Sequence, residues 1–145
     1  WVYPVGALAF MHITSKDDQS SAREWGLRMA DASGHIGFAI WSGGSTLRGY
    51  IQSTDIAALN QWSHVAAWHD SAAAKVWVRV NAGTPASANT TGAPSTTAAA
   101  FNVGAAGGGG PHWNGRIDNA QIWHRVLTTA EIAEDYANGL AGRES

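Results

Sequence analysis

The sequence contains no cysteine and carries little charge. Because none of the 145 residues is cysteine, a disulfide scaffold, a thiolate metal site and a cysteine nucleophile are all excluded. Charged residues make up 14% of the chain, its formal net charge is -2, and its nine Lys and Arg residues are scattered. We therefore expect no nucleic acid partner. No run approaches the roughly 18 apolar residues of a membrane helix, so no membrane insertion is expected.

Short runs of β-branched and aromatic residues, separated by Gly, Asn, Asp and Ser, are typical of an all-β protein. In the clearest strand, Val76, Val78 and Val80 alternate with polar or aromatic residues, so the valines are predicted to face the core. The fold class predicted is a jelly-roll β-sandwich of two antiparallel sheets with one short C-terminal helix. The predicted strands cover residues 8–14, 25–29, 35–41, 47–52, 62–69, 75–81, 100–104 and 115–124.

The remaining segments are predicted from turn and capping signals. Residues 82–99 are rich in Thr, Ala, Ser, Gly and Pro, and residues 107–111 are four glycines and a proline, so both are predicted to be loops. Thr128 and Glu131 form a capping box that predicts a helix start, and Gly139 is predicted to lie just past the helix end.

Three segments resemble the laminin-G-like domains of the concanavalin A-like lectin/glucanase superfamily. They are QWSHVAAWHD at residues 61–70, FNVG at residues 101–104 and GRIDNAQIWHRVL at residues 115–127, the last followed by Ala-Glu-Ile at residues 130–132. Their order matches the family from about residue 1 to residue 139. The resemblance implies a single domain over residues 1–145. Family members carry one or two further strands before the W-V-x-P that opens this sequence, so we expect a fragment that lacks its N-terminal strands.

Enzymes of this superfamily, such as laminarinases, resemble one another through a Glu-x-Asp-x-x-Glu strand. Retaining hydrolysis requires its carboxylates to lie about 5 Å apart on one face. The sequence has no such strand, and its densest acidic group, Glu131, Glu134 and Asp135, is predicted on the exposed face of the helix. His64 and His69 are five residues apart, point to opposite faces of a strand and cannot share a metal. We expect no enzymatic activity and no catalytic residue.

Asp118 is the one candidate metal ligand. In jelly rolls that resemble this chain, the aspartate that opens the final strand often helps to hold a structural calcium ion with side-chain and backbone oxygens. The alternative is that Asp118 hydrogen-bonds to neighbouring backbone amides and fixes the start of the strand. No other cofactor is expected.

The tryptophans suggest a carbohydrate ligand, because an aromatic plane suits the C–H face of a sugar. The candidate ligand-binding residues are Trp77 and Arg79, opposite the valines, and His112, Trp113 and Asn114, beside the glycine loop. The alternative for each tryptophan is a place in the core. Our first hypothesis is a glycan-binding module of a larger extracellular, cell-surface or virion-surface protein. The second is a structural or adhesion domain that binds another surface protein.

Overall fold

The computed structural model describes residues 1–6 and 9–142. Antiparallel strands dominate it, and a single α-helix follows them near the C-terminus of the described part. The strands are β1 (Val2–Pro4), β2 (His12–Asp17), β3 (Arg23–Met29), β4 (His35–Ser42), β5 (Thr46–Ile56), β6 (Val65–Asp70), β7 (Lys75–Val80), β8 (Ala86–Asn89), β9 (Phe101–Val103) and β10 (Gly115–Ile117), and the helix is α1 (Thr129–Ala141).

The strands form a sandwich. One sheet has the order β5-β4-β3-β2-β9, a second has the order β6-β7-β8, and β1 pairs with β10. Alternate side chains of the two larger sheets meet in one hydrophobic core, as the period-two pattern requires. The predicted β-sandwich with a short C-terminal helix is confirmed. Core residues with little or no exposure include Met29, Ile36, Ile40, Val76, Val78 and Val80.

The predicted strands over residues 25–29 and 35–41 form a hairpin. Trp25 pairs with Ile40 and Met29 pairs with Ile36 across β3 and β4. The connecting turn needs a glycine at Gly34, because its φ is 101° and an added Cβ would lie 2.8 Å from the Ala57 carbonyl oxygen. The glycine in the turn and the alternating strands on either side of it therefore both favour this hairpin.

Several predicted boundaries are wrong. Residues 86–89, predicted as loop, form β8 because they pair with β7, which supplies hydrogen bonds that no local propensity encodes. The predicted long strand over residues 115–124 is paired only over Gly115–Ile117, where β1 lies beside it. The strand predicted from residue 8 begins at His12, and Leu8 lies outside the described residues.

The helix begins where predicted but continues further. Thr128 accepts a hydrogen bond from the Glu131 backbone N–H, and Glu131 accepts one from the Thr128 backbone, which is a full capping box. Hydrogen bonds from the Arg125 guanidinium and from Thr128 lower the pKa of Glu131 to about 2. Gly139, predicted past the end, lies inside α1, where its missing side chain leaves space for the Trp1 indole. No described helix has the length and apolar character needed to cross a membrane.

Candidate functional site

The outward side of the five-stranded sheet carries charged and aromatic side chains around small residues. Gly26, Gly37 and Ala39 alternate with the core residues of β3 and β4 and therefore point away from the core. A Cβ added to Gly26 would lie 3.5 Å from the His12 ring and 3.6 Å from the Trp41 ring, so both rings lie on this side. We call this surface the polar face, defined by His12, Asp17, Arg23, Arg28, Trp41 and Tyr50.

A buried ion pair anchors one end of the polar face. Asp17 is fully buried and accepts two hydrogen bonds of 2.9 Å from the Nε and Nη2 atoms of Arg23. Its Oδ1 atom also accepts the backbone N–H of Gln19 at 2.6 Å. The Arg23 guanidinium carbon in turn lies 3.9 Å from the Trp41 ring centroid. A guanidinium held by both a bidentate carboxylate and a ring is fixed in orientation before any ligand arrives.

The other end of the polar face is cationic and flanked by exposed rings. Arg28 pairs in register with His12 of β2 and Gly37 of β4. Its guanidinium carbon lies 5.0 Å from the Phe10 ring centroid, and no carboxylate of the described residues forms an ion pair with it. The phenol of Tyr50 lies over Gly37, where an added Cβ would be 3.0 Å from the hydroxyl oxygen. Phe10 is 51% exposed and Tyr50 is 37% exposed.

Two buried histidines make the fold sensitive to pH. Burial lowers the pKa of His12, and the nearby Arg28 lowers it further. Burial also lowers the pKa of His64, although Nε2 of that ring lies 2.9 Å from Oδ2 of Asp135. Both rings are therefore held neutral in the folded protein at neutral pH.

We expect the free energy of unfolding to fall as the pH drops from about 7 to about 5. In the unfolded chain both histidines titrate near pH 6.5, whereas their folded pKa values are lower. The unfolded state therefore takes up protons first, and stability present above pH 6.5 is lost as the pH falls toward the folded pKa values. Urea unfolding at several pH values measures the free energy of unfolding as a function of pH. In a double variant with His12→Gln and His64→Gln, that free energy should depend less on pH. An unchanged pH dependence in the double variant would contradict its assignment to these two histidines.

The predicted residues Trp77 and Arg79 lie on the outward face of β7, opposite the valines. Trp77 stacks parallel to Trp68 of β6, with ring centroids 5.6 Å apart and an interplanar angle of 6°. The Lys75 ammonium lies 5.4 Å from the Trp77 ring centroid. Arg79 is 8% exposed. The two tryptophans therefore cover each other, and the Arg79 side chain offers little surface to a ligand.

The predicted residues His112, Trp113 and Asn114 directly precede β10. His112 and Asn114 are exposed, and the Asn114 carbonyl accepts the Val5 backbone N–H at 2.9 Å. Trp113 packs partly against the core, and its indole N–H donates to the Arg116 carbonyl at 3.2 Å. The sequence-predicted residues thus form two groups, and Trp113 contributes to packing.

Asp118 follows β10 directly. Its backbone N–H donates to the Trp1 carbonyl at 2.9 Å, and its own carbonyl accepts the terminal amine of Trp1 at 2.9 Å. Calcium takes six to eight oxygen ligands, several of them carboxylates. Within residues 1–6 and 9–142, no group of three or more His, Asp or Glu side chains is arranged to hold a metal. The surroundings of Asp118 do not fit a calcium site built from carboxylates, and calcium stays a prediction.

Sequence reasoning missed the polar face. Asp17 and Arg23 lie between the predicted strands over residues 8–14 and 25–29, and Arg28 and Tyr50 lie within predicted strands, so none of the four is a predicted ligand-binding residue. The signal that was available is the parity of β3, in which Gly26 and Arg28 alternate with Trp25, Leu27 and Met29. A glycine on one face of a central strand indicates close approach by another group.

A cavity lies at the edge of the three-stranded sheet. It has a volume of about 500 Å³ and lies between β6 and residues 119–127. We call it the edge channel. Trp25, Leu27 and Phe38 of the five-stranded sheet line its floor. The opposite wall contains Ile122 and Trp123, each of which is more than half exposed. This volume is within the range of small-molecule pockets.

Comparison with known proteins gives one match. A laminin-G family model, described as the concanavalin A-like lectin/glucanases superfamily, matches residues 1–133. The curated proteins and the solved structures give no significant match to the chain.

Proposed function

Because the chain belongs to the concanavalin A-like lectin/glucanase superfamily, we propose that it is a non-catalytic module that binds glycans through its polar face. Membership supports a lectin-like binding module in general. The glycan ligand and the surface that binds it are the finer part of the proposal. The proposal also includes the setting of the module, an extracellular, cell-surface or virion-surface protein. This part rests on analogy with the fold family.

The observation that carries the proposal is the surrounding of Arg28. Its guanidinium is flanked by Phe10 and Tyr50, two partly exposed rings on a sheet surface whose centre is glycine and alanine. A sugar offers apolar C–H faces to rings and hydroxyl oxygens to guanidinium and phenol groups. The exposed parts of Arg28, Phe10 and Tyr50 therefore provide both kinds of contact. Arg23, fixed by Asp17, supplies a second cationic donor at the far end.

The carboxylates at and beside the polar face are not arranged for hydrolysis. The carboxylate of the polar face, Asp17, is fully buried and bound to Arg23. Glu24, on the neighbouring strand, binds Lys16 at 2.5 Å and the Thr97 backbone N–H. A glycosidase needs one carboxylic acid and one carboxylate facing the scissile bond, and these two groups are each bound to a cation. We therefore propose binding without bond breaking.

The test is a broad glycan array, probed with the domain in calcium and again in EDTA. We expect binding that weakens about tenfold or more on Tyr50→Ala or Arg28→Gln, since the loss of one well-placed contact changes the binding free energy by about 1.4 kcal/mol or more. Leu59→Ala is the matched control, because Leu59 is 45% exposed and lies in a turn away from the polar face. Its binding should equal that of the wild type. Loss of binding in EDTA would instead support a metal such as one at Asp118.

Other outcomes relocate or remove the proposal. Binding that survives Tyr50→Ala but is lost on Trp77→Ala would move the ligand to the outward face of β7. A blank array, from a domain whose circular dichroism shows it folded, would favour a structural or adhesion domain that binds another protein.

A further inference from the structure

The chain contains two Asn-Gly dipeptides, and the asparagine of each is exposed. Asn114 directly precedes Gly115, the first residue of β10. Asn138 and Gly139 lie inside α1. In such a dipeptide the backbone nitrogen of the glycine can attack the side-chain amide carbon of the asparagine, because glycine has no side chain to block a close approach of its backbone. The reactivity of each asparagine therefore depends on how the fold holds the nitrogen of the glycine that follows it.

The pairing of β10 with β1 leaves the Gly115 N–H facing away from β1. Val5 donates its backbone N–H to the Asn114 carbonyl at 2.9 Å, so these two residues form a hydrogen-bonded pair. Because bonded and non-bonded pairs alternate along antiparallel strands, the next pair, Pro4 with Gly115, is non-bonded. The Pro4 carbonyl accordingly accepts the Asn60 N–H at 2.8 Å, on the side away from β10. Among the described strands only β1 pairs with β10, so no strand covers the Gly115 nitrogen.

The close approach of β1 requires glycine at position 115. Gly115 has a φ of 147°, and an added Cβ would overlap the Tyr3 carbonyl oxygen. The glycine that makes the dipeptide reactive is therefore the residue that the strand pairing needs. The side-chain amide of Asn114 is not restrained in the same way, because within the described part it makes no hydrogen bond. It is thus free to rotate toward the Gly115 nitrogen.

The second dipeptide is held differently, because its glycine lies within a helix. α1 extends over Thr129–Ala141, and the backbone amides inside a helix donate to carbonyls four residues earlier. Gly139 also faces the Trp1 indole, whose ring atoms occupy the position of a Cβ. Attack by the Gly139 nitrogen on Asn138 therefore requires that the last turns of α1 open first.

We propose that Asn114 is a site of spontaneous deamidation in the folded protein, and that the fold protects Asn138 from the same reaction. The Gly115 nitrogen loses its proton to the solvent and bonds to Cγ of Asn114, and the Cγ–Nδ2 bond breaks as ammonia leaves. The product is a five-membered succinimide ring. Water then opens the ring, at Cγ to give aspartate or at the backbone carbonyl carbon to give isoaspartate. The reaction needs no oxidant, and it is independent of the glycan proposal.

The isoaspartate product changes the pairing between β1 and β10. Its chain runs through Cγ, so the backbone gains a carbon atom, and the former backbone carbonyl becomes a free carboxylate. The hydrogen bond from Val5 to that carbonyl and the register of Pro4 with Gly115 both depend on the normal backbone. We expect the isoaspartate form to melt about 3 °C or more below the unmodified protein, as the loss of one hydrogen bond implies for a domain of this length.

The test compares the two asparagines within one protein. The domain is kept in mildly alkaline buffer, once folded and once unfolded in urea, and samples are digested with trypsin and analysed by mass spectrometry. Arg116 and Arg125 lie between the two dipeptides, so trypsin places Asn114 and Asn138 in different peptides. In urea we expect similar deamidation rates, because the dipeptide is the same. In the folded protein we expect Asn114 to react about tenfold or more faster than Asn138, since only Asn138 needs local unfolding.

Two variants assign the change in melting temperature. Asn114→Ala removes the reacting amide and keeps the backbone carbonyl that binds Val5, so after the same incubation its melting temperature should not fall. Freshly purified Asn114→Asp carries the charge of the aspartate product without the longer backbone. Because Asn114 is exposed, we expect Asn114→Asp to melt close to the wild type. A loss seen in incubated wild type alone is then due to isoaspartate.

The rates in the folded protein decide the proposal. Fast deamidation at Asn114 with slow deamidation at Asn138 supports it. If folding slowed Asn114 as much as Asn138, the Gly115 nitrogen would not be accessible, and the proposal would be wrong. Equally fast reaction at both sites, in a domain whose circular dichroism shows it folded, would overturn the protection by α1. An incubated wild type that contains isoaspartate but melts like incubated Asn114→Ala would overturn the effect on β1 and β10.

Discussion

Replacing Asp17 with alanine is expected to lower the free energy of unfolding by about 3–5 kcal/mol, because it leaves the Arg23 guanidinium without its buried counter-charge. Asp17 is fully buried and makes two hydrogen bonds of 2.9 Å with Arg23. It also accepts the Gln19 backbone N–H, which would lose its acceptor. Urea unfolding of the variant and the wild type measures the difference.

A double-mutant cycle identifies the origin of that loss. In the variant with both Asp17→Ala and Arg23→Ala no charge remains unpaired, so we expect it to be more stable than Asp17→Ala alone. Arg125→Ala is the control for a comparable ion pair in solvent, because Arg125 binds Glu131 at 2.6 Å with both side chains well exposed. Its effect should be much the smaller. A loss at Asp17 no larger than that of Arg125→Ala would show that the polar face is not held by its buried pair.

Much of the fold could be predicted because its strongest signals are local. The alternation of Val76, Val78 and Val80 follows from burial on one side of β7, which the two-residue period of a strand makes visible in sequence. The start of α1 could be predicted because Thr128 and Glu131 satisfy each other within one turn. Neither signal requires knowledge of a distant partner.

The wrong boundaries share a physical cause, which is pairing with a segment far away in sequence. Alanine and serine have little preference for strands, so β8 depends on the edge offered by β7. At the other extreme, Ile122 and Trp123 have strand-forming side chains but are 56% and 54% exposed, because no neighbouring strand of the described part pairs with them. Propensity thus predicted a strand where the partner was lacking and missed one where a partner was supplied.

The candidate site was harder to predict than the fold, because its members come from strands that only tertiary pairing brings together. Arg28 lies beside His12 through the β2–β3 register and beside Gly37 through the β3–β4 register. Tyr50 reaches the same surface from β5 through its pairing with Ala39. Tryptophan is the residue type from which the sequence predicts ligand binding, yet Trp41 is 4% exposed and covered by Arg23. The buried Trp41 ring therefore supports the Arg23 guanidinium and offers little surface to a ligand.

Replacing Gly139 with alanine is expected to destabilise the protein by about 1–3 kcal/mol, which is the cost typical of overpacking. From sequence alone the opposite result would be expected, since alanine in a helix interior is more favourable than glycine by about 1 kcal/mol. In α1, however, a Cβ at this position would overlap the Trp1 indole, with only 2.6 Å to its Cζ2 atom. Thermal and urea unfolding measure the sign of the change.

Gly142→Ala separates helix propensity from the clash at Gly139. Gly142 has a right-handed φ of -78° and ψ of -6°, and among the described residues outside its chain neighbours the atom closest to a Cβ there would be the Gly139 carbonyl oxygen, at 3.8 Å. We therefore expect that substitution to be neutral or slightly stabilising. The Trp1 indole is 6% exposed, stacks on Tyr136 with centroids 5.7 Å apart and meets the His64 ring edge-on at 5.3 Å, so it has little room to move aside. If Gly139→Ala stabilised the protein as much as Gly142→Ala, Trp1 would not be held between α1 and the sandwich, and the anchoring of β1 would have to be reassigned.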